Sequence, residues 1–112
     1  MITVNINNFT YEVKFEGDGE NVHLKEDSNG RMVFGLCAYA KNIIYIHKDL
    51  PWDRMRHTII HELTHAYIEA HGLYHTSCEN DEGLCDFMGA YAEDIVGEAD
   101  RIQRKYNGVV KD

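Results

Sequence analysis

Apolar and polar residues alternate through the first fifteen positions. Ile2, Val4 and Ile6 form one set, and Phe9, Tyr11, Val13 and Phe15 the next. A period of two is that of a half-buried strand. Asn7-Asn8 between the sets tolerates positive φ and suits a tight hairpin. Loops are expected at Gly17-Asp18-Gly19 and at Asp27-Ser28-Asn29-Gly30, with a short strand from Asn21 to Lys25 between them. Met32 to Tyr39 and Asn42 to His47 read as two further strands, the second carrying the β-branched pair Ile43-Ile44.

The period then changes. Ile59, Leu63, Ala66, Tyr67 and Ala70 recur at three- and four-residue spacing, which predicts a helix from Asp53 to about Ala70. Asp49 is the expected N-cap, Pro51 falls in the first turn and Gly72 is the stop. A second helix is expected from Asn80 or Asp81, where Asp81 and Glu82 suit the positive end of the dipole. Its apolar stripe is Leu84, Phe87, Met88, Tyr91, Ile95, Ala99 and Ile102, and the tail frays from Asn107. A mixed or antiparallel sheet over residues 1–47, followed by two packed helices over 49–107, is an α+β domain. At 112 residues one domain is expected, and no linker or repeat divides it.

Composition narrows the function. Eleven Lys+Arg against 19 Asp+Glu give a net charge of −8, which disfavours binding to a phosphate backbone. The first residues carry no basic head followed by an apolar block, and no apolar run reaches the roughly 18 residues of a membrane span. The three cysteines, Cys37, Cys78 and Cys85, are too far apart for a zinc ribbon or a Cys-x-x-Cys pair and read as reduced thiols. A soluble cytoplasmic protein, with neither a nucleic-acid nor a membrane partner, is the expectation.

Five of the seven histidines fall between His57 and His75. Among them, His61-Glu62-Leu63-Thr64-His65 has the form His-Glu-x-x-His. Residues four apart on a helix share a face, so His61 and His65 can hold one metal ion while Glu62 handles the proton of a bound water. A catalytic zinc needs a third protein ligand and an open position. His71 and Glu82 compete for that role. His71 lies six residues past His65, rotated away from the pair on an unbroken helix, and Ile68 stands where a chain-turning glycine would be needed. Glu82 opens the second helix in Glu82-Gly83-Leu84-Cys85-Asp86. That spacing makes it the favoured ligand, with Asp86 one turn on to accept the second ring N–H of His61. His57 reads as solvated, and Tyr67, Tyr74, His75 and Tyr91 are weaker candidates to stabilise an oxyanion. Cys85 reads as a small core residue and Cys78 as a loop thiol.

These residues, from Arg56 to about Val96, resemble the gluzincin zinc metallopeptidases. They are most similar to the small ImmA/IrrE-type metallopeptidases of bacteria and their phages. The resemblance implies a minimal zincin-like domain with zinc on His61, His65 and Glu82, and Glu62 as the catalytic glutamate. It also implies an endopeptidase whose substrate is a protein or peptide, with a transcriptional repressor as the kind of regulatory substrate that the family suggests. Cys85 departs from the small alanine common in that family. An extended substrate is expected to pair with a sheet edge, for which Asn42 to His47 is the candidate. The competing reading is a non-catalytic module in which zinc ties the helices together and an exposed surface binds a partner.

Overall fold

A computed structural model of the chain describes residues 1–17, 24, 34–73 and 81–108. The loop at Gly17-Asp18-Gly19, the turn at Asp27 to Gly30 and the strand expected from Asn21 to Lys25 fall wholly or largely outside these residues. So do Tyr74, His75 and Cys78.

The alternating N-terminal segments form β1 (Ile2–Ile6) and β2 (Phe9–Glu16), paired antiparallel with Ile2 opposite Val13. Asn7 and Asn8 take φ of 47° and 70° at the turn, the left-handed conformation that asparagine tolerates. β3 (Gly35–Ala38) is shorter than its sequence pattern, because Tyr39–Lys41 closes into a 3-10 turn ended by Asn42 at φ 52°. β4 (Ile43–His47) then returns to the sheet, parallel to β2 and antiparallel to β3. The order is β1-β2-β4-β3, a mixed four-stranded sheet. β4 is therefore an inner strand, and the expectation that Asn42 to His47 offers a free edge is corrected. Among the described residues, the edge on that side belongs to β3.

α1 (Trp52–Ala70) begins after Pro51, which occupies the N-cap position that Asp49 was expected to fill. The backbone N–H of Asp49 instead donates to His47 Nδ1 at 3.2 Å. Proline disfavours helical geometry in the residue before it, which moves the start past Leu50. At the other end Gly72, at φ 66°, donates to the Glu69 carbonyl and Leu73 donates to that of Ile68, the paired bonds of a Schellman stop.

α2 (Asp81–Tyr106) runs antiparallel to α1. Arg56 pairs with Asp100, Gln103 Nε2 donates to the Trp52 carbonyl at 2.9 Å, and Tyr91 stacks on His71 at 4.5 Å. One core joins the layers: Val4, Ile6, Tyr11, Val13, Ile44 and Ile46 from the sheet, Ile59, Leu63 and Ala66 from α1, and Phe87, Ile95, Ala99 and Ile102 from α2. Leu84 and Met88, expected in the buried stripe, are about half exposed. They continue the Ile95 face, but the first turns of α2 run beyond the end of α1. Cys85 is likewise exposed rather than in the core. No helix among the described residues is long and apolar enough to cross a membrane.

Candidate metal centre

α1 divides its surface into three stripes. Ile59, Leu63, Ala66 and Ala70 face the core, Thr58 and Glu62 face β3, and His57, His61 and His65 stand exposed at four-residue intervals. The last stripe places the His61 and His65 rings edge to face with centroids 4.9 Å apart. His61 Nε2 lies 3.9 Å from Glu62 Oε2. Ligand atoms of His61, Glu62 and His65 all fall within 4.8 Å of one another, and theirs is the one such grouping among the described residues. Such a group could in principle hold a metal ion, with the two exposed imidazoles as its ligands. Burial, and then the charge of His61, holds His65 below its ordinary pKa, which favours the neutral ring that binds a metal.

Glu62 is the buried member of the group, at 7% exposure. Burial pushes its carboxyl up to about 7, against the backbone hydrogen bond it receives from Cys37. The position of that bond follows from the sheet. His47 N–H donates to the Phe34 carbonyl, so Phe34, Leu36 and Ala38 turn their backbone groups toward β4. Gly35 and Cys37, alternating with them, turn theirs to the free edge. α1 lies so close to β3 that a Cβ on Gly35 would stand 2.7 Å from Thr58 Cγ2 and 2.9 Å from Glu62 Cγ. Glycine is what lets the edge strand and the glutamate meet. A cleft of about 250 Å³ opens beside them, lined by Phe34, Gly35, Arg54, His57, Thr58, His61 and Glu62.

The remaining candidates lie elsewhere. His71 packs between Tyr67 and Tyr91, with ring centroids at 6.1 and 4.5 Å, in the helix interface and not at the histidine pair. Tyr67 and Tyr91 belong to that same ring cluster, which Phe87 extends. Glu82 lies nine residues before Tyr91, about 13 Å further along α2 at 1.5 Å per residue. The antiparallel packing carries that distance past His71 and away from His65. Glu82 and Asp86 are both exposed, and neither joins the His61–Glu62–His65 group. Gly35, Cys37 and the cleft were missed from sequence. The only signal for them was a glycine inside an otherwise apolar run.

Compared with protein-family models, curated proteins and solved structures, the chain matches none.

Proposed function

We propose that the chain is a zinc-dependent endopeptidase, and the observation that carries this reading is the buried Glu62 beside two accessible imidazoles, on the flank of a strand that is the sheet edge among the described residues. His61 and His65 would hold the metal. Zinc bound there would lower the pKa of a water toward ~7 and polarise the scissile carbonyl. Glu62 then takes the water's proton and returns it to the departing amine. A carboxyl held near neutrality by burial suits both transfers. The outward backbone groups of Gly35 and the Cys37 carbonyl would offer an extended peptide a strand to pair with, in place of the β4 segment, while the Cys37 N–H stays with Glu62. The third ligand is proposed to be Glu82 on its sequence spacing alone, since it stands outside the His61–Glu62–His65 group. A repressor-like regulatory protein is the substrate class that the ImmA/IrrE resemblance suggests.

The separation of Glu82 from the pair favours one other reading, a non-catalytic module that retains the motif and binds a partner. Incubating the zinc-loaded protein with a denatured protein mixture, with and without a chelator, separates the two. Chelator-sensitive cleavage that Glu62→Gln abolishes while zinc remains bound is the expected result. No cleavage of any component moves the reading to the binding module.

A further inference from the structure

The cleft beside Glu62 has a chemical character that hydrolysis alone does not require. One wall is the Phe34 ring and another is the Thr58 methyl, which faces Gly35. The Thr58 hydroxyl is engaged elsewhere, donating to the Arg54 carbonyl at 2.9 Å. The polar rim sets a guanidinium across from the Glu62 carboxyl. Arg54 sets its guanidinium over the Phe34 ring, 6.0 Å from the centroid, and His57 adjoins it one turn before His61. Arg56 and Arg101 each have a carboxylate partner, Asp100 and Glu98. The Arg54 guanidinium has none among the described residues. Its neighbour Asp53 directs a carboxylate oxygen to the Arg54 backbone N–H at 2.8 Å, and Glu62 accepts from the Cys37 backbone. In a chain of net charge −8, Arg54 thus sets a guanidinium with no carboxylate partner among the described residues at the mouth of this cleft.

We propose that this cleft is a specificity pocket for an acidic side chain, Asp or Glu, on the peptide residue adjoining the bond to be cut, and that Arg54 reads its carboxylate. The inference rests on the peptidase reading of the same site. The methylenes of such a side chain lie against Phe34 and Thr58, and its carboxylate meets the guanidinium fork, a geometry that admits two parallel hydrogen bonds. The ring beneath Arg54 holds the fork in place, so little rotamer freedom is lost on binding. An apolar side chain would cover the guanidinium without giving it a partner, and a basic one would be repelled.

The test uses pairs of fluorescein-labelled peptides that differ only in Glu or Gln, or Asp or Asn, at one position. Each is titrated by fluorescence anisotropy into the full chain carrying Glu62→Gln and loaded with zinc, so that binding is read without turnover. The acidic peptide of a pair should bind about tenfold more tightly than its amide. Arg54→Gln should erase that difference, and Arg54→Glu should transfer the preference to a lysine peptide. Arg54 is exposed, and circular dichroism checks that both variants fold. Equal binding of acid and amide, no binding of either, or a preference that survives Arg54→Gln overturns the pocket. In parallel, the active protein is run on the same peptides with mass-spectrometric readout. Cleavage without an acidic preference sinks the pocket and leaves the peptidase. Arg54-dependent binding without any cleavage sinks the peptidase and leaves the pocket.

Discussion

Glu62 ties the chemistry of the site to the stability of the chain. Its carboxyl is raised by burial from its ordinary value to about 7. For an acid shifted upward, the folded state holds its proton longer than the unfolded state does. Stability from this group is therefore full below about pH 4.5 and is lost as pH rises through 7. At ~1.4 kcal/mol per pKa unit, the loss between pH 4.5 and 8 is about 2–3 kcal/mol. The metal-free Glu62→Gln protein lacks this penalty. Urea titrations at pH 5 and pH 8 should show its stability relative to the parent rising by that amount. A pH-independent difference would mean that the carboxyl ionises freely in the fold. Gly35 is the second sensitive residue. The Cβ of Gly35→Ala meets Thr58 and Glu62 well inside contact distance, so a loss of about 1–3 kcal/mol is expected, with a fall in peptide cleavage. Wild-type melting and turnover in that variant would show that β3 and α1 can part without consequence. Sequence marked Glu62 clearly, because its neighbours at spacing four share its helix. Gly35 was not legible, because its role depends on a helix more than twenty residues away.

At the scale of the elements, local periodicity located both helices and both strands of the hairpin. It could not fix what each stripe faces. Leu84 and Met88 share the apolar face of α2 with Ile95, and only the relative length and offset of the two helices decide that they stand beyond α1. The contrast is measurable in the metal-free protein. Phe87→Ala should cost about 3–5 kcal/mol, because Phe87 is buried against Tyr91. Leu84→Gln and Met88→Gln should each stay within about 0.5 kcal/mol. Large losses at Leu84 or Met88 in thermal melts would mean that this turn is covered. Strand order was hidden for a similar reason. The β4 pattern is that of any strand, and its inner place is set by pairing on both sides with partners distant in sequence.

For the whole molecule, the zinc reading turns on which groups would complete the shell of an ion held by His61 and His65. The α+β plan, with the sheet preceding two helices, was legible in the order of the two hydrophobic periods. The spatial relation of Glu82 to the histidines was not, since seventeen residues of sequence separation do not set a helix offset. Zinc titrations beside a competing chelator should show at least a tenfold weaker affinity in Glu82→Ala than in the parent, and almost complete loss in His61→Ala. Unchanged affinity in Glu82→Ala would remove it from the ligand set and leave water to complete the coordination.

The parallel pairing of β2 with β4 also governs when the site comes into being. The β1–β2 hairpin closes over a two-residue turn, on the order of microseconds, and needs nothing downstream. Glu12 meets Ile43 only after the intervening thirty residues have closed as a loop, and β3 adds outside β4. Non-local pairing of this kind sets the pace of folding. The meeting of Gly35 with Glu62 comes later than the hairpin in that order. A chain emerging from synthesis presents Gly35 before His61 and His65, so the cleft beside Glu62 is whole only once α1 has followed and packed on β3.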